Sequence, residues 1–325
     1  MGSHVIRGGS PLRGYRWLML VLVLSLLPID ACDAAWRWPW QKDESKAATQ
    51  KHHAAKREAS KPSAPKSDAS KPAASKPAAA KCDQAKFKVF VDVGHTKESD
   101  GALSARDVPE FEFNLKLATK VVEKLKADGF AEAKLLVTTG KARPSLFKRV
   151  AAANNSRADL FLSIHHDSVP DKMLEDWEFE GKKRHFSDRF KGYSLFVSRD
   201  NADFESSLTF AKLIGKELKA KGLRFADQYT LPVMGRYRHE LLDKDAGVYR
   251  YDELIVLSRT RMPAVLLEAG SIINRDEELQ MSAPERQGMI ITSVAAALKK
   301  YCGGQPIAEG APRASTAADP SAHAP

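Results

Sequence analysis

The chain has 325 residues, 43% of them hydrophobic, which is enough for one sizeable core, and a formal charge of +10. That charge is unevenly spread: residues 41–81 hold ten basic against four acidic side chains and residues 1–40 four against two, so everything from Cys82 onward carries only +2. A nucleic-acid-binding domain carries its basic surface itself; here the basicity sits on a tether, which argues against nucleic acid as a partner.

At the N-terminus, Arg13 and Arg16 precede an apolar run from Trp17 to Leu27, and small residues follow up to Ala35. This is the pattern of a secretory signal over residues 1–35, with an apolar run too short for a comfortable membrane span. Two processing routes stay open. One is cleavage near Ala34; the other is lipidation at Cys32, which would anchor the N-terminus to a membrane. Either route exports the chain to the periplasm or cell envelope. Residues 36–81 begin with Trp36, Trp38 and Trp40 and continue in Ser-Lys-Pro and Ala-Ala-Lys units. Such composition buries too little apolar surface to fold, so a disordered, positively charged linker is expected.

From Cys82 the pattern alternates between strand and helix. Phe87 to Val93 reads as a strand buried on both faces, and Gly94 turns the chain to deliver His95 at its end. Glu110 to Lys126 carries Phe111, Leu115, Ala118, Val122 and Leu125 at helical spacing, stopping near Gly129. A short strand over Leu135–Thr138 and a helix over Pro144–Asn155 follow. Asp159–His165 and Tyr193–Val197 read as strands, Phe204–Lys221 as an amphipathic helix, Ala264–Glu268 as a buried strand and Pro284–Tyr301 as a closing helix. Interleaved strands and helices imply an α/β fold: one catalytic domain over residues 82–302, with a mostly parallel twisted sheet and helices on both faces. Residues 303–325, rich in Ala, Pro and Ser, are expected to be a disordered tail. The connection from Asp171 to Lys191 is long; it reads as a substrate-binding flap, with a bulky surface loop as the alternative.

Three strands therefore end on His95, His165 and Glu268, and Glu110 heads the helix after the first. Strand ends of a parallel sheet lie along one edge, where ligands bind in open α/β folds. Two imidazoles and a carboxylate with an open fourth position are the ligand set of a catalytic zinc, and a further, unbound glutamate is the usual base.

These residues resemble the zinc-dependent N-acetylmuramoyl-L-alanine amidases, which cut bacterial peptidoglycan. Asp92-Val-Gly-His95 resembles the family's first zinc-binding turn, and Glu110 to Leu115 its Glu-x-x-x-Asn-Leu helix. Ala152-Ala-Asn154 with Ala158 to His165 resembles its second histidine strand. Pro263 to Gly270 with Ile273-Asn274 resembles the segment that holds its catalytic glutamate. The chain departs from the pattern at Val93, Thr96 and Lys97 around the first histidine, and at His166 after the second.

The resemblance implies one Zn2+ per domain, held by His95, Glu110 and His165. Glu268 would act in hydrolysis of the amide between N-acetylmuramic acid and the L-alanine of the stem peptide. Glu110 and Glu112 project about 200° apart on a helix, so only one points inward; Glu110 shares a face with Asn114 and matches the family. His165 and His166 point to opposite sides of their strand; His165 is taken as the ligand, with His166 as a residue that supports the ligands without touching the metal. His166, Asn114, Arg106 and Arg259 form the candidate substrate-binding set, with Arg261 a further arginine for an acidic stem peptide. His185 and His239 are expected in loops, facing solvent. Two other functions fit less well: a zinc peptidase acting on the peptide cross-links, and a non-catalytic wall-binding protein, which would not need both the metal set and Glu268.

Cys32 lies in the signal region, which leaves Cys82, just before the first strand, and Cys302, at the end of the last helix. In an oxidising compartment such a pair is expected to bridge.

Overall fold

The computed structural model describes residues 82–304. The expected signal, the linker and all but the first two residues of the expected tail lie outside the described residues. In chain order the elements are β1 (Val89–Val93), α1 (Glu110–Ala127), β2 (Lys134–Leu136), α2 (Ala142–Asn155), β3 (Leu160–Asp167), β4 (Glu175–Phe179), β5 (Lys182–Phe186) and β6 (Ser194–Val197). There follow α3 (Phe204–Ala220), β7 (Leu241–Asp243), β8 (Val248–Arg250), α4 (Ile255–Ser258), β9 (Ala264–Ser271), α5 (Arg275–Ser282) and α6 (Pro284–Cys302).

Seven strands form one sheet in the order β2-β1-β3-β9-β6-β8-β7. β1 pairs in parallel with β2 and β3, and β3 with β9; β6 runs antiparallel to β9 and β7 antiparallel to β8. The fold is thus the expected mostly parallel α/β sheet, with two reversals, between β9 and β6 and between β8 and β7. Alternation along the strands divides the core in two. Val89, Val91, Leu160, Leu162, Ile164, Val265 and Leu267 face one side, with the apolar stripes of α1, α3 and α6. Phe90, Phe161, Phe196 and Leu266 face the other, with residues of α2 and α4. Each fully buried Val, Leu or Ile contributes about 1.5–3 kcal/mol, so the central strands anchor whatever their ends carry.

The 171–191 connection is a hairpin, β4–β5, turned at Glu180 and Gly181 with φ of 52° and 69°. Two successive positive φ values are the requirement of the two-residue turn that matches strand twist. The hairpin is clipped down rather than free. The Trp177 indole donates to the Ala105 carbonyl at 3.1 Å, and the guanidinium groups of Arg106 and Arg275 lie 5.5 and 5.2 Å from its ring. Arg184 pairs with Asp107 at 2.8 Å, and Ser187 N–H donates to the Ile273 carbonyl. Its aromatic rings are already covered by Arg106, from the loop before α1, and by Arg275, the first residue of α5.

Cys82 and Cys302 form a disulfide with Cα atoms 4.9 Å apart, and Cys82 N–H donates to the Cys302 carbonyl at 2.9 Å. The bond closes a loop of 220 residues, for which the chain-entropy model gives about 5 kcal/mol. Reduction is expected to lower the denaturant midpoint of unfolding markedly while the folded protein keeps its metal affinity. Superimposable denaturation curves with and without reductant would contradict this.

Candidate metal centre and catalytic cleft

The site forms where β1, β3 and β9 end. Gly94 N–H donates to the Ile164 carbonyl, continuing the β1–β3 ladder by one residue. A Cβ at Gly94 would lie 2.5 Å from His165 Nε2, so only glycine lets the imidazole of β3 pack across the end of β1. His95 then adopts the left-handed region, with φ 65°. Glu110, the first residue of α1, is 2% exposed. Its Oε2 lies 2.9 Å from His95 Nε2 and its Oε1 2.9 Å from His165 Nδ1. Glu112 faces solvent, as the 200° separation requires. Ligand-capable atoms of His95, Glu110 and His165 all lie within 4.8 Å of one another. Two imidazole nitrogens and one carboxylate oxygen at that spacing fit a zinc ion with a position left open.

Burial pushes the Glu110 carboxyl up, but the His95 and His165 imidazoles outweigh it and hold the group well below its ordinary range. The carboxylate is therefore ionised and ready to bind a cation.

Glu268 stands beside this cluster because β3 and β9 pair in register, His165 opposite Glu268. Its Oε2 is buried and has no hydrogen-bond partner among the described residues. Burial, then Asp167 and Glu110, push its carboxyl well above the usual range. An unpartnered buried carboxylate oxygen is costly, and a proton-accepting role would account for it. Asp167, two residues beyond His165, accepts from the Tyr229 hydroxyl at 2.6 Å and from Gln228 Nε2 at 3.0 Å. Burial pushes its carboxyl up to about 7.

The sequence profile of the N-acetylmuramoyl-L-alanine amidase family matches residues 89–300. The chain belongs to that family. Among related chains, the amidase is 24% identical over 221 residues to a putative N-acetylmuramoyl-L-alanine amidase of Buchnera aphidicola subsp. Baizongia pistaciae, covering 66% of this chain and 95% of the relative. It is 25% identical over 213 residues to the uncharacterized protein YqiI of Bacillus subtilis, covering 66% and 84%. The fold is similar to the crystal structure of the amidase Ami1 from Mycobacterium smegmatis, at 20% identity, TM-score 0.52 and coverage of 69% of this chain and all of that one.

Several expected substrate-binding residues of the amidase are placed otherwise. His166 is 3% exposed; its Nδ1 meets Asn114 Oδ1 at 2.8 Å and its ring lies 5.5 Å from Phe113. Burial pushes its imidazole down to about 3, so it is neutral. Asn114, fully buried, donates to Glu110 Oε1 at 3.0 Å and to the Gly94 carbonyl at 3.2 Å. Both residues brace Glu110 from behind and offer no surface to a substrate. Arg106 is committed to Glu278 and the Arg275 carbonyl, where it supports the hairpin. Arg259 lies at the wrong edge of the sheet: its carbonyl accepts from Asn154, at the end of α2, where β3 and β9 begin rather than end. Arg261 is tied to the same asparagine.

His239 is not solvent-facing. Its Nδ1 meets the Arg250 carbonyl at 3.0 Å, and the rings of Phe196, Tyr229 and Tyr251 lie 5.2, 5.4 and 4.6 Å away. His185 is exposed, as expected, but it stands on β5 rather than in a loop, beside Asp176. Gln228, Tyr229 and Arg149 went unread in the sequence. A polar residue two places past the strand-end histidine was the only signal for Asp167, and these three had none.

Proposed function

We propose that this amidase hydrolyses the amide bond between the lactyl group of N-acetylmuramic acid and the L-alanine of the peptidoglycan stem peptide, with one zinc ion held by His95, Glu110 and His165. The observation that carries the reading is the three-donor cluster beside the buried, unpartnered oxygen of Glu268. A zinc ion at such a centre lowers the pKa of water towards ~7 and polarises a carbonyl oxygen. Glu268 takes the proton from the attacking water and returns it to the departing amine, a task for a carboxylate near but not on the metal. Glu110 supplies anionic charge and orients both imidazoles, each of which it contacts at 2.9 Å. Asn114, braced by His166, keeps Glu110 turned inward. Asp167 ties the Gln228–Tyr229 segment to the end of β3, closing the cleft beside Glu268.

The substrate places the enzyme outside the cytoplasm, in keeping with the secretory pattern of residues 1–35. Among the described residues no helix is long and apolar enough to cross a membrane. A membrane attachment would therefore rest on the N-terminal segment.

Digestion of purified peptidoglycan with and without chelator tests the function. Mass spectrometry should find peptides that begin with L-alanine, released from intact glycan strands. Chelation should abolish them and added zinc restore them. Cleavage inside the cross-links would instead identify a zinc peptidase, and undigested but bound peptidoglycan a wall-binding protein.

A further inference from the structure

Arg149 is the largest fully buried side chain among the described residues, 1% exposed. A guanidinium out of water costs several kcal/mol unless acceptors surround it. α2 delivers it to three acceptors that all belong to β1 and its exit. Nη1 donates to Asp92 Oδ2 at 2.9 Å and to the Val93 carbonyl at 2.6 Å, while Nη2 donates to the His95 carbonyl. Asp92 is itself fixed across the sheet, accepting from Ser163 Oγ at 2.7 Å. One planar cation thus gathers a carboxylate and two main-chain carbonyls two residues apart.

That gathering bears on the one unusual backbone conformation among the cluster residues. His95 has φ 65°, a conformation that is unfavourable for any residue with a Cβ and persists only where the surroundings enforce it. Returning His95 to an extended conformation would swing its carbonyl off Arg149 and its imidazole away from Glu110. The guanidinium and the imidazole therefore depend on the same backbone state.

We propose that Arg149 is a positioning residue for His95: by holding the Val93 and His95 carbonyls together it keeps the backbone left-handed and the imidazole aimed at the metal-binding point. This rests on the reading of His95, Glu110 and His165 as a metal centre. Lysine cannot replace it, because a single ammonium retains the charge opposite Asp92 but lacks the fork that spans several acceptors.

The test is a zinc competition titration on the full chain, with thermal unfolding of the metal-free protein recorded alongside. Arg149→Lys should weaken zinc binding about 10–100-fold, the range for groups that orient a ligand from behind. In a His95→Ala background the same change should cause no further loss, since there is no imidazole left to aim. Asp92→Asn, nearly isosteric, should show a smaller loss with the same non-additivity, and carries the test if the lysine variant does not fold. Zinc affinity unchanged by the substitutions, or an equal loss in the His95→Ala background, would overturn the proposal while leaving the metal centre intact. A wild-type chain that takes up no zinc would overturn both.

Discussion

Glu268→Gln is expected to give a folded, zinc-loaded protein whose turnover falls about 10²–10⁴-fold, the usual contribution of a positioned general base. The substitution preserves volume and removes only the capacity to accept and return a proton. Folding should survive because the carboxylate makes no hydrogen bond through its buried Oε2, so no partner is stranded. Metal should survive because the three donors lie on His95, Glu110 and His165. The pH profile gives a second reading. Burial, with Asp167 and Glu110 nearby, raises the Glu268 carboxyl, and the base works only when ionised. Wild-type kcat/KM should therefore rise as pH rises through the carboxyl's folded pKa, and that limb should vanish in the glutamine variant. Substantial residual hydrolysis, with the limb intact, would move the role of base elsewhere.

His165→Ala is expected to lose most of its zinc and nearly all activity, whereas His166→Ala should keep its zinc. The two residues are adjacent in sequence, and β3 sends them to opposite faces. His165 contacts Glu110 directly, while His166 reaches it through Asn114 and by its own backbone N–H. Deleting a ligand should exceed the roughly 10–100-fold that a bracing group costs; deleting His166 should fall within or below it. Zinc content by atomic absorption after gel filtration separates the two. Full occupancy in His165→Ala with loss in His166→Ala would show that the strand holds the metal from its other face.

Both experiments concern residues that could be read from the sequence, and the reason is local. A buried parallel strand is a continuous apolar run, so His95, His165 and Glu268 stand out as polar ends of such runs. Parallel pairing then brings them together without knowledge of loops, and a helix of known pitch separates Glu110 from Glu112. What was not legible depends on strand order and on short elements. Nothing in Ser194–Val197 says that β6 runs against β9, because four buried residues look alike in either direction. Residues 223–263 build β7, β8 and α4 from three or four residues each, too few to show a period, and Tyr229 and Gln228 were missed with them. The hairpin was hidden because six of the ten positions in its strands are charged, Glu175, Asp176, Glu178, Lys182, Lys183 and Arg184, which masks the alternation of a half-buried strand. Arg259 was misplaced because composition does not say at which edge of a sheet a loop emerges. Arg149 looked like any helix cation; only the packing of α2 on the sheet shows that it points inward.

The covalent link between Cys82 and Cys302 has a mechanical consequence. Cys82 precedes β1 and Cys302 ends α6, and the cluster lies where β1 finishes, so the chain enters and leaves at the edge of the sheet away from the cleft. Tension applied between the flanking segments would run through one sulfur–sulfur bond and bypass every strand between. The load path would not cross the domain, and pulling from both ends would extend only what lies outside residues 82–302. Force spectroscopy on the oxidised chain should register no unfolding step from this domain, and should register one after reduction. The geometry of the metal-binding cluster in the oxidised domain would then be independent of any force on the segments that flank it.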